Sequence, residues 1–168
     1  AGDAEGALAC LDAMADHAAP VLVWREEQKP SGCGDEEVGD MPHNWASAEF
    51  IRLACHLVVM ERGDELHLFE GVPARWLKDG GVTAVRGAVT AFGPVSASLR
   101  REGGIVVVHV APLERPCAAI VVHRSAWDPG AEPLRFAAAK GVALRIARAS
   151  GETKLAANSA RKEGFRCP

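Results

Sequence analysis

The stretch LVVMERGDELHLFEG, residues 57–71, marks the point where the hydrophobic pattern of the chain changes from helical to extended. Two short apolar runs flank Arg62-Gly63-Asp64, and such runs on either side of a Gly-containing turn are typical of a β-hairpin. The residues before this stretch have helical periodicity, whereas those after it form short strand-like runs. The sequence therefore divides near Val58 into a helical part and a β part.

The helical part contains two predicted helices. Residues 3–19 carry apolar side chains at i, i+3 and i+4 spacing, with Asp3 as the predicted N-cap and Pro20 just beyond the end. The second helix is predicted to start with Asn44 as its N-cap and to end near Leu57. Its apolar side chains lie most of the way round, which is typical of a helix buried between neighbours.

A long loop joins these helices. Residues 29–43 contain three glycines, two prolines and four acidic residues. Long ordered loops in compact domains are usually functional. Two tryptophans and two adjacent carboxylates lie at the ends of this loop: Trp24, Glu26, Glu27 and Trp45. We therefore predict that the loop is one wall of a functional site.

The β part is predicted to be a sandwich, because short strands recur at regular spacing. Pro73 opens a predicted single helical turn. Leu134–Ala138 and Val142–Ala147 are predicted to form a last hairpin, and residues 150–168 a frayed polar tail. The strands predicted between the turn and the last hairpin are Val82–Arg86, Val89–Phe92, Val95–Arg100, Ile105–Ala111 and Ala118–His123.

These patterns predict an α+β protein in which two helices precede a small antiparallel β-sandwich. The predicted organisation is a helical part over residues 1–57, the sandwich over 58–149 and the tail over 150–168. Two helices cannot bury each other's apolar faces. We therefore expect the chain to be a fragment, or to pack against a partner that lies outside these 168 residues.

Composition and charge exclude several classes of function. The net charge of −3 and the pI of about 6.1 leave no basic surface for nucleic acid or an anionic membrane. No apolar run approaches the ~18 residues of a membrane span, and no signal-peptide pattern is visible, so localisation is left open. Five cysteines at irregular spacing do not predict a disulfide framework.

Seven short motifs follow one another in a characteristic order. They are Trp24-Arg25-Glu26, Gly32-Cys33-Gly34, Gly39-Asp40, Pro42-His43-Asn44-Trp45-Ala46-Ser47-Ala48-Glu49-Phe50, Glu61-Arg62-Gly63-Asp64-Glu65-Leu66, Gly71-Val72-Pro73-Ala74-Arg75-Trp76-Leu77 and Phe92-Gly93-Pro94-Val95. This series resembles the C-terminal end of the six-hairpin glycosidases, over roughly residues 5–125. In these (α/α)6-barrel proteins, of glucoamylase-like and rhamnosidase-like type, a small β-sandwich follows the last barrel helix.

The resemblance implies a glycoside hydrolase that acts on glycans or glycosides, with a carboxylate before the Gly-rich loop as general base. By its position in Trp-x-Glu, this base is Glu26, with Glu27 as the second candidate. Trp24 is then expected to offer an apolar face to a sugar ring, and His43 and Trp45 to line the same cavity. The family's general acid lies on an earlier barrel loop, so the remainder of the barrel, upstream or on a separate chain, is an implied partner.

The residues themselves leave other interpretations open. Glu26 and Glu27 side by side are typical of a solvated surface pair, and only one of two like charges is expected to face a pocket. His43 is equally typical of a hydrogen-bonding residue at a helix start, and Trp45 of core packing. No cofactor or metal is predicted, because the acidic loop lacks the spacing of a calcium loop. The same holds for zinc, since no paired spacing joins Cys33, His43, Cys55 and His56.

A second hypothesis is not catalytic. The β-sandwich would be an interaction or carbohydrate-binding module, with the helices docking on a larger partner. Such a module is expected to show a row of exposed aromatic side chains, but Phe92 is the single aromatic residue between Val82 and His123. The observation that separates the hypotheses is whether one open face of the helical part brings together Trp24, Glu26, His43 and Trp45.

Overall fold

The described part of the chain contains two α-helices, α1 (Ala4–Asp16) and α2 (Asn44–His56). The computed structural model describes residues 3–28, 37–137, 142–147 and 153–155. The Gly6 amide donates to the Asp3 side chain over 2.8 Å, which confirms the predicted cap of α1. The end of α2 is also confirmed. Its start differs by one residue, because His43 takes the cap position and Asn44 is already helical.

The connection between the helices contains a short antiparallel ribbon rather than loop alone. Strand β1 (Glu27–Gln28) pairs with β2 (Glu37–Val38), with Glu27 opposite Val38. The glycine-rich residues 32–34 of the predicted loop lie outside the described residues. Because β1 and β2 pair, the two ends of the connection lie next to each other.

A four-stranded sheet begins with the predicted hairpin, which is confirmed. Its strands are β3 (Val59–Arg62), β4 (Glu65–Leu68), β8 (Ala119–Val122) and β9 (Leu134–Phe136). The order is β3-β4-β8-β9, and all pairs are antiparallel except β4 with β8, which are parallel. The turn predicted at Pro73 is a single 3₁₀ turn, Ala74–Trp76.

A five-stranded antiparallel sheet has the order β11-β10-β7-β6-β5. Its strands are β5 (Val82–Thr90), β6 (Gly93–Glu102), β7 (Ile105–Val110), β10 (Val142–Ala147) and β11 (Thr153–Leu155). The prediction of separate strands over 82–86 and 89–92 was wrong. They form one strand with a bulge, where the pairing register shifts between Val85 and Ala88 and Gly87 has a φ of +64°.

The predicted last hairpin was also wrong. Strand β9 pairs with β8, whereas β10 pairs with β7, with Val142 opposite Val110. Both candidate strands found apolar partners elsewhere, one in each sheet, and sequence spacing does not reveal such non-local pairing. In addition, β11 falls inside the predicted polar tail and pairs with β10.

One hydrophobic cluster joins the two sheets. The four-stranded sheet contributes Leu66, Leu68 and Ile120, and the five-stranded sheet contributes Leu99 and Val108. Leu8 of α1, Leu57 after α2 and Trp127 belong to the same cluster. The predicted α+β class is therefore confirmed, while the barrel origin of the helices stays a prediction. Neither described helix is long and apolar enough to cross a membrane.

Candidate functional site

Three of the polar side chains at the ends of the connection lie together on the surface of the helical part. Glu26, Asp40 and His43 each place one polar atom within 4.8 Å of the others. Glu26 and Asp40 are exposed, and the His43 side chain is 20% exposed. We call these three residues the loop cluster. Its members are up to 17 positions apart in sequence, so backbone pairing must bring them together.

Two backbone hydrogen bonds assemble the loop cluster. The Glu26 amide donates to the Asp40 carbonyl over 3.2 Å, and the His43 amide donates to the Trp24 carbonyl over 2.9 Å. Gly39 lies between these bonds with a φ of +85°, a conformation that favours glycine. A Cβ on Gly39 would meet the Glu26 Cβ at 2.3 Å, so glycine is needed here for space as well as for conformation.

The loop cluster combines two carboxylates with one imidazole. His43 Nδ1 lies 3.3 Å from Asp40 Oδ1, which orients the ring towards the acidic side chains. A carboxylate held beside an imidazole can accept a proton from water or bind a small polar ligand. Glu27 follows Glu26 and is the first residue of strand β1. Glu27 is exposed and is not part of the loop cluster.

Trp24 contributes its backbone to the site but not its ring. The indole is 6% exposed, its Nε1–H donates to the Met14 carbonyl over 2.6 Å, and its centroid lies 4.8 Å from that of Phe50. Met14 belongs to the last turn of α1, where carbonyls lack helical partners. The ring therefore joins α1 to α2, and its predicted contact with a sugar stays a prediction.

Trp45, two residues after His43, is exposed, whereas Trp24 is buried. Trp45 is 71% exposed, although tryptophan residues in folded proteins are usually largely buried. Glu49, one turn further along α2, pairs with Arg52. Of the four residues expected to share one open face, Glu26 and His43 do lie together. Trp45 is two residues from His43 in sequence, and the Trp24 ring is buried.

A second polar cluster lies on the four-stranded sheet, and sequence reasoning missed it. His67 of β4 and His123 after β8 approach with Nδ1 and Nε2 2.9 Å apart, and Glu70 Oε2 is 3.7 Å from the same His123 nitrogen. We call these residues the sheet cluster. Burial lowers the pKa of the His123 imidazole and so favours its neutral form. The two histidines are 56 positions apart and meet through the parallel pairing of β4 with β8, which no motif spacing indicates.

Comparisons of the chain with protein-family models, with curated proteins and with solved structures gave no match in any of the three. The resemblance to six-hairpin glycosidases therefore depends on the sequence motifs alone. What the structure adds is the position of each motif residue relative to the others.

Proposed function

We propose that the chain is the C-terminal part of a glycoside hydrolase-like protein acting on a glycan or glycoside, with Glu26 as its general base. In this proposal α1 and α2 are the last helices of an (α/α)6 barrel, and the two sheets are the trailing β-sandwich. The observation that carries the proposal is the loop cluster, in which an exposed carboxylate from Trp24-Arg25-Glu26 meets the histidine of the Pro-His-x-Trp motif.

The proposed chemistry assigns one role to each side chain. Glu26, as a carboxylate, accepts a proton from the water that attacks the anomeric carbon. His43, held by Asp40 at 3.3 Å, orients that water or a sugar hydroxyl. The exposed ring of Trp45 offers an apolar face to a sugar. A general acid on another barrel loop protonates the leaving oxygen, and inversion requires the two carboxyl groups to be roughly 6.5–9.5 Å apart.

The surface of the helical part supports a missing barrel partner. No residue of α2 is buried in the structure, and Trp45 and Ile51 on this helix are 71% and 62% exposed. Val21 and Leu22, between the helices, are 79% and 57% exposed. Exposed apolar side chains in such number are typical of a surface that another part of a protein covers. Further barrel helices are the partner that the proposal requires.

The test compares two neighbouring carboxylates. The polypeptide is extended with the residues encoded before Ala1, and hydrolysis of a panel of aryl glycosides is measured. We expect Glu26→Gln to lower kcat by about 10²–10⁴-fold, the usual contribution of a general base. Glu27→Gln, which removes the adjacent charge outside the loop cluster, is expected to retain activity.

Two results would contradict this assignment. Equal losses in Glu26→Gln and Glu27→Gln would show a general effect of charge rather than a base at one position. Activity that survives Glu26→Gln would place the base elsewhere. The non-catalytic hypothesis has less support, because on strands β3 to β9, whose side chains the structure describes, the large exposed hydrophobic residues are Val82 and Val89, and neither is aromatic.

A further inference from the structure

We propose that His67, Glu70 and His123 bind a zinc ion, Zn²⁺, at a site separate from the loop cluster. Two imidazoles and one carboxylate are a ligand set that zinc takes in proteins, with a fourth position left for water. The proposal is independent of the glycosidase hypothesis, because the sheet cluster and the loop cluster share no residue.

The spacing of the ligand atoms fits a single small ion. Tetrahedral zinc bonded to nitrogen and oxygen at about 2.0–2.1 Å places its ligand atoms about 3.3 Å apart. In the sheet cluster the nitrogen–nitrogen distance is 2.9 Å and the nitrogen–oxygen distance is 3.7 Å. These values lie on either side of the expected one, and all three atoms fall within 4.8 Å of one another. The two measured distances each differ from the expected separation by about 0.4 Å.

The residues behind His67 favour metal binding at its Nδ1, the nitrogen that faces His123. Its Nε2 lies 3.3 Å from Glu65 Oε2, and Glu65 is in turn hydrogen-bonded by Arg135. A hydrogen bond donated by Nε2 to Glu65 would leave the Nδ1 lone pair facing the cluster. A carboxylate behind the histidine is the usual outer arrangement of a zinc ligand, and it fixes both tautomer and ring orientation.

Glu70 supplies an observation that the histidine pair alone does not explain. It is 7% exposed, and its Oε2 has no hydrogen-bond partner within the described part of the chain. Arg62 Nη2 lies 2.7 Å from this oxygen, but the arrangement is an ion pair without hydrogen-bond geometry. A buried carboxylate oxygen normally has its hydrogen bonds satisfied. A metal ion bound by this oxygen and the two imidazoles would supply the directed bond that the Arg62 ion pair does not.

A cavity reaches the sheet cluster at Glu70. It has a volume of about 240 Å³, lies between α1, α2 and β3, and has Glu70 and Arg62 in its wall. The Arg62 side chain is 49% exposed and can turn towards solvent when an ion takes its place beside Glu70. The same cavity can supply the water that completes the coordination.

The experiment measures zinc and cobalt binding to the full chain after chelator treatment. We expect one zinc ion per chain from calorimetry, and visible d–d absorption of Co²⁺ without sulfur-to-metal charge transfer. Glu70→Gln preserves side-chain volume and is expected to weaken binding, as is His123→Ala. Glu65→Gln is expected to weaken binding by about 10–100-fold, the usual effect of changing an outer partner.

Two matched variants serve as controls. His109→Ala removes an exposed histidine of β7, and His43→Ala removes the histidine of the loop cluster; both are expected to bind zinc like the unchanged chain. Circular dichroism identifies any variant that does not fold, and Glu70→Gln keeps the test decisive if His123→Ala does not fold. The proposal is overturned if no one-to-one binding occurs, if Glu70→Gln binds normally, if His43→Ala abolishes binding or if thiolate charge transfer appears.

Discussion

The two-sheet region and the helical region treat their apolar side chains in opposite ways. In the sheets, Leu66, Leu68 and Leu99 are fully buried in one shared cluster. In the helical region, α2 buries none of its residues, and Ile51 is 62% exposed although the sequence pattern of α2 predicts a buried helix. The difference shows that a hydrophobic pattern predicts which side chains need burial, but not which surface covers them. The sheets bury their apolar side chains against each other, whereas the helices bury theirs only in part.

The largest expected effect comes from truncating the same volume in each region. Leu66→Ala should lower the free energy of unfolding by about 2–5 kcal/mol, because it leaves a cavity in a packed core. Ile51→Ala, on the exposed face of α2, should change it by about 0.5 kcal/mol or less. Urea denaturation followed by circular dichroism measures both. Equal losses would break the comparison, because they would show that α2 is as tightly packed as the core.

The second effect concerns backbone conformation at the loop cluster. Gly39→Ala places a side chain at φ +85° and against Glu26, whereas Gly63→Ala meets a similar φ of +61° with nothing within 4 Å. Conformation alone should cost about 1–2 kcal/mol at each position. The contact at Gly39 should add about 1–3 kcal/mol, the usual cost of overpacking. Urea denaturation of both variants gives the difference, and a larger loss in Gly63→Ala would exclude close packing at Gly39.

The third effect tests whether Trp24 supports the helices. Trp24→Phe keeps an aromatic ring beside Phe50 but removes the hydrogen bond to the Met14 carbonyl, and should cost about 1–2 kcal/mol. Trp45→Phe, on an exposed ring, should cost about 0.5 kcal/mol or less. The measurement is thermal unfolding followed by circular dichroism. If the two variants were equally stable, the Trp24 indole would contribute little to holding α1 against α2.

Local features of the fold were predictable from sequence because short-range chemistry determines them. Asp3 caps α1, and the hairpin around Gly63 follows from apolar runs on both sides of a turn. Non-local pairing was not predictable. The parallel contact of β4 with β8 and the separation of β9 from β10 into different sheets depend on packing that no spacing encodes.

The candidate site also had a part that was predictable from local sequence and a part that was not. Glu26 and His43 were selected from short motifs, and the paired ends of the connection bring them together. Asp40 was named in the Gly39-Asp40 motif and as one charge of an acidic loop, but its contact with His43 was not predicted. The sheet cluster was invisible at this level, since its two histidines come from strands whose partnership is a property of the folded sheet.

The smallest effect is chemical and leaves stability unchanged. Cys10 on α1 is exposed, whereas burial raises the pKa of the Cys117 thiol, whose Sγ donates to the Ala119 carbonyl at 3.3 Å. The thiolate is the reactive form, so a raised pKa means less thiolate at any pH below it. Alkylation by iodoacetamide at pH 8, followed by peptide mass spectrometry, should therefore modify Cys117 several-fold more slowly than Cys10. Raising the pH above 8 should continue to increase the Cys117 rate, because its raised pKa leaves thiol still to be ionised. If Cys117 reacted as fast as Cys10, the residues after β7 would become accessible readily. The contrast between buried side chains in the two-sheet region and exposed ones in the helical region would then not hold for Cys117.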